Sequence, residues 1–253
     1  MDLTTLPAPA FTSLDGITQA LAAIVYVAVG AAAWMRATGD IRTRVFLALS
    51  IANFVALGVP TFWWLHGSTG QLKLPAASTA TVTAALGLGA LLLFHFTQVF
   101  PRRRPWIKTS GVQMAVAYCL APLTIAGLVW FAPATMDALK LPYVLALIVF
   151  GFPLGVLLVI VLPVTAIVSL ARSHRELQLN GPAALKRPLE LILFSQIAGG
   201  ALAAVFAPVL ATVAPNSGAQ SVMTLVIWVL ALMTPLAFAA AVWKFGVLEI
   251  SPE

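Results

Sequence analysis

The chain has 253 residues, 61% of them hydrophobic and 9% charged, with a formal charge of +6 and a mean hydropathy of +1.00. So little charged surface excludes one or two soluble domains, the ordinary reading of this length. The basic residues stand in short clusters beside apolar stretches, which excludes nucleic acid as a partner and points to the anionic inner leaflet of a membrane.

Residues 1–14 carry Asp2 and no Lys or Arg. They lack the basic region of a cleaved signal peptide, so the first apolar stretch is expected to be retained as a span. A helix needs about 20 mostly apolar residues to cross the hydrocarbon, and seven stretches qualify, at about 16–36, 45–65, 77–100, 111–132, 143–171, 189–212 and 219–243. A membrane barrel strand is only about 10 residues long and alternates apolar with polar, whereas these runs are apolar on every side. A helix satisfies its own backbone inside lipid. The expected fold is therefore all-α, a polytopic membrane helix bundle with seven transmembrane helices forming one domain over 1–253.

The joints carry the orientation. On one side lie Arg36, Arg42 and Arg44, then Arg102, Arg103, Arg104 and Lys108, then Arg172, Arg175, Lys186 and Arg187, and finally Lys244. The other side has only Lys73 and Lys140. By the positive-inside rule the N-terminus is outside and the C-terminus cytoplasmic, as in a bacterial-type inner membrane. Trp63, Trp64 and Trp130 fall at the outer boundary and Trp34, Trp106 and Trp243 at the inner one, where amphipathic rings prefer the headgroup level. The segment SHRELQLNGP is expected to prolong the fifth span by a turn or two, up to the break at Asn180-Gly181-Pro182.

An ionisable residue inside a membrane is a functional candidate by default, and few are present. Glu190 stands near the start of the sixth span beside Lys186 and Arg187, and His95 near the inner end of the third. Glu190 is expected to be held by Lys186, Arg187 or His95. With Gln98 and Gln196, these two residues form a candidate polar cluster at the inner boundary. Buried amides of this kind, including Asn53 and Gln113, fix helix packing through interhelical hydrogen bonds. Pro60, Pro122, Pro153, Pro163, Pro208 and Pro235 bend spans, and Gly151 with Gly155, and Gly199 with Gly200, permit close helix approach. Cys119 is the only cysteine and is expected to be a small core residue. The chain has no phosphate loop, no metal-ligand spacing among His66, His95 and His174, and no Lys within the seventh span. An enzyme, a metal site and a bound cofactor are therefore not expected.

Two stretches carry a family likeness. His95-Phe96-Thr97-Gln98-Val99-Phe100-Pro101-Arg102-Arg103-Arg104-Pro105 follows the pattern H-F-x-x-x-F-P-x-x-R-P, and PLAFAAAVWKFGVLEI, from Pro235 to Ile250, is similar to P-x-x-x-x-x-A-x-x-[KR]-[YF]-x-L-x-[DE]-I, with Val247 at the Leu position. They resemble the multi-helix membrane sensor region at the N-terminus of many bacterial histidine kinases and related membrane signalling enzymes. The resemblance implies that helix movement is passed inward where these motifs end. Kinases of this type continue for hundreds of residues beyond the second motif, so no effector domain is expected in these 253 residues.

The expected function is a non-enzymatic receptor or sensor-like module acting through a separate protein chain. Its contact with that partner, or with anionic lipid, is expected at Arg102, Arg103, Arg104, Arg172, Arg175, Lys186, Arg187 and Lys244. The alternatives are a structural or accessory subunit of a larger membrane complex, and a carrier for a neutral or lipophilic substrate.

Overall fold

The computed structural model describes residues 13–66, 76–101, 118–119, 161–180, 182–212 and 218–249. Among them the regular elements are all helical: α1 (Ser13–Arg36), α2 (Ile41–His66), α3 (Ala76–Val99), α4 (Leu162–Asn180), α5 (Ala183–Thr212), α6 (Gly218–Trp243) and a 3-10 turn at Val247–Glu249. Four segments are long and apolar enough to cross a membrane: Gly16–Arg36, Ile41–Phe62, Ala77–Val99 and Leu225–Trp243. They coincide with the first, second, third and seventh expected spans. The expected fourth span lies outside the described residues except for Tyr118 and Cys119, which are helical, and the fifth is described only from residue 161.

Two helices begin earlier than hydropathy alone indicates. α2 starts at Ile41 because Asp40 caps it: its Oδ1 accepts the Arg42 amide at 2.8 Å, and the Thr43 hydroxyl donates to the carbonyls of Ala37 and Asp40 at 2.7 and 2.9 Å. The Asp40 carboxylate thus satisfies an amide that the first turn leaves open, and the Thr43 hydroxyl ties that turn to the carbonyls before it. α4 does run on to Asn180, and α5 then begins at Ala183, with the Leu185 amide donating to the Pro182 carbonyl at 3.1 Å. Lys186, Arg187 and Glu190 break the apolar run there without breaking the helix.

Each described helix packs on its neighbour in the chain, and α6 returns to α1. Small residues set the spacing of α1 and α2. A Cβ on Gly30 would lie 2.6 Å from Ser50 Oγ and 3.3 Å from the Leu47 Cα, and Ala22, Ala23, Ala33, Ala52 and Ala56 are buried. Larger groups form the core at one end of the bundle. There Phe46 of α2 stacks on Phe238 of α6 with centroids 3.8 Å apart, and Phe96 meets Phe238 edge-on at 5.4 Å. Leu177 of α4 and Leu185, Leu189 and Ile192 of α5 complete the same core. The outer faces are apolar instead: Ile24, Phe54, Phe62, Leu86, Phe194, Val229 and Leu236 are all exposed. A soluble protein would not expose so many large apolar side chains, whereas hydrocarbon around the helices removes the cost.

Candidate functional site

The Asp40 cap that starts α2 also fixes the most buried charge among the described residues. Arg42 has a relative exposure of 0%. Its Nη2 and Nε donate to Asp40 Oδ2 at 2.6 and 3.0 Å, and its Nη1 donates to the Pro101 carbonyl at 3.1 Å. Pro101 lies two residues beyond the end of α3, and Phe100 between them is buried, stacked on Phe96 at 5.2 Å between centroids. A guanidinium presents donors in a planar fork, so a single side chain can serve a carboxylate on one edge and a carbonyl on the other. Arg42 thereby ties the start of α2 to the end of α3. In the sequence it is one of several basic residues of the joints, and the signal that marks it is the acidic cap two residues before it.

The four residues of the candidate inner cluster do not gather into one site. His95 is buried, with its Nδ1 hydrogen-bonded to the Tyr118 hydroxyl. Gln98, also buried, donates to Ser169 Oγ of α4 at 2.8 Å. Gln196 donates to Thr234 Oγ1 of α6 at 2.8 Å, and nearby on α6 the Ala231 carbonyl accepts from the Tyr26 hydroxyl at 3.1 Å. Glu190 pairs with His174 of α4 at 3.0 Å, not with Lys186, Arg187 or His95. Lys186 instead reaches the Gln178 carbonyl at 3.4 Å. The reason is the early start of α5, which lays its first turns along the prolonged α4 and brings His174 opposite Glu190. Each polar residue therefore bridges two segments of the bundle. Tyr118, Ser169, Thr234 and His174 are the partners that hydropathy did not point to.

Cys119 is exposed and not a core residue; a thiol is apolar enough to face lipid. Arg172, Arg175, Arg187 and Lys244 are exposed and Lys186 is half-buried, with Lys244 Nζ 5.6 Å from the centroid of the Phe245 ring. Arg102, Arg103 and Arg104 lie outside the described residues. Among the described residues no group of three His, Cys, Asp or Glu side chains converges. No family model matches the sequence, and no curated protein is significantly similar to it.

Proposed function

We propose that this chain is a seven-helix receptor or sensor-like module of a bacterial-type inner membrane. Its C-terminus is cytoplasmic, and it acts without chemistry of its own through a separate protein at its inner face. The observation that carries this reading is the meeting of the two motif segments. Phe96, Phe100 and Pro101 of the first and Phe238, Val242 and Val247 of the second are packed or bonded into a single buried core with Phe46 and Arg42. A shift of α3 or α6 at that end must repack the other, because a core at native density does not deform continuously.

Helix directions support seven crossings. α3 ends at the core through Phe100, and α4 also runs into it, through Leu170 and then Leu177. Two successive helices running the same way need a return between them, and the apolar stretch 111–132 supplies one crossing. The distribution of Lys and Arg supports the orientation. The buried polar groups favour a receptor over a carrier, because His95, Gln98 and Gln196 bond to neighbouring segments and Thr97 and Ser195 bond back to their own helices.

The test is recovery of the full-length protein from its own membranes in native nanodiscs. A second protein in fixed ratio, lost when Arg172, Arg175 and Arg187 are together replaced by Gln, is the expected result. Recovery of the protein alone, with a complete measurable flux in reconstituted vesicles, would replace this reading with transport.

A further inference from the structure

The chain beyond α6 does not run straight out of the bundle. The amides of Lys244 and Phe245 both return to the Ala240 carbonyl, at 3.0 and 3.2 Å. Gly246 then reverses the direction with φ at 59°, in the left-handed region that side chains rarely adopt. A Cβ there would also stand 3.1 Å from the Glu249 carboxylate. The turn carries Val247 into the core at 0% exposure and lays the 3-10 turn against α5 as well as α6. Glu249 closes it, its amide donating to the Gly246 carbonyl at 2.9 Å and its Oε1 accepting from Arg36 Nη2, at the end of α1, at 3.1 Å.

From this we infer that Gly246–Glu249 is a latch that makes the exit path of the chain after α6 depend on the position of α1. The holds are of unequal strength. The glycine turn and the buried valine bind the segment to α6 and α5, whereas the tie to α1 is an ion pair whose side chains are 42% and 71% exposed. Such a pair is weak and screened by salt. Helix shifts of about 1–2 Å are ordinary in conformational switching, and one of that size takes Arg36 out of hydrogen-bonding range of Glu249. The carboxylate is then released while Val247 remains a pivot. The latch is a property of this chain alone, so it stands or falls separately from the receptor reading.

The full chain, with Cys119→Ser and spin labels on Gly39→Cys and Ser251→Cys, is placed in nanodiscs and the interlabel distance distribution is measured. The parent is expected to give one narrow distribution. Arg36→Ala and Glu249→Ala should each at least double its width, as should raising the salt. The exchange Arg36→Glu with Glu249→Arg should restore it. Gly246→Ala should widen it with both charges intact. A parent distribution that is already broad, or one that stays equally narrow in Arg36→Ala and Glu249→Ala, would overturn the latch. Arg36→Ala alters an exposed side chain and leaves the buried core in place, so its result is readable even where Gly246→Ala does not fold.

Discussion

A guanidinium removed from water is tolerated only where its donors are met, and Arg42 meets Asp40 and the Pro101 carbonyl in one plane. Replacing it with Ala would leave the Asp40 carboxylate facing a buried gap. Breaking a buried ion pair from one side costs about 3–5 kcal/mol. Arg42→Ala is therefore expected to lower the unfolding midpoint of the purified protein severely, as followed by tryptophan fluorescence on heating. Arg44→Ala removes an exposed side chain that reaches only the Thr38 carbonyl, so it should change stability by roughly 0.5 kcal/mol or less. Equal losses in the two variants would show that Arg42 carries no special load. Its role was hidden in the sequence by its company: between Arg36 and Arg44 it reads as one more inward charge, and burial depends on where α3 ends, which no local pattern states.

At the scale of the helices, existence was legible and rotation was not. Long apolar runs mark α1, α2, α3 and α6 because hydrocarbon demands length and low polarity. A helix that is apolar all round has no preferred face, so the sequence says that Gln98 and Gln196 are inside without saying which neighbour each one faces. Only packing assigns Gln98 to Ser169 of α4 and Gln196 to Thr234 of α6. The unexpected pairing of Glu190 with His174 has the same origin, since the α4–α5 joint is shorter than hydropathy implies. Interhelical hydrogen bonds in membranes couple by about 0.6–2 kcal/mol. A double-mutant cycle of Gln98→Leu and Ser169→Ala should give a coupling in that range. The cycle of Gln98→Leu with Thr234→Ala, which joins residues of two separate bonds, should give a coupling near zero. A vanishing coupling in the first cycle would mean that the α3–α4 contact is held by apolar packing alone.

At the scale of the whole molecule, the described contacts bring Arg36, Arg42 and the α4–α5 joint to one end. Arg36 reaches Glu249, Arg42 reaches Pro101, and Leu177 and Leu185, on either side of the α4–α5 joint, enter the same core. If that end is cytoplasmic and the stretch 102–161 returns the chain once before α4, Ser68 and Ser217 both lie outside and Ser173 lies inside. The positions test orientation and count together. From Ser68 to Ser217 the chain must cross an even number of times, and from Ser68 to Ser173 an odd number. Single cysteines at these sites require a background in which Cys119, itself exposed, is replaced by Ser. In intact cells an impermeant maleimide is expected to label the cysteines at Ser68 and Ser217, and to reach the one at Ser173 only after permeabilisation. Labelling at Ser173 alone would invert the molecule and place its aromatic core and latch outside. Labelling at only one of Ser68 and Ser217 would break the parity, which removes a crossing between α3 and α6 and with it the return that seven helices require.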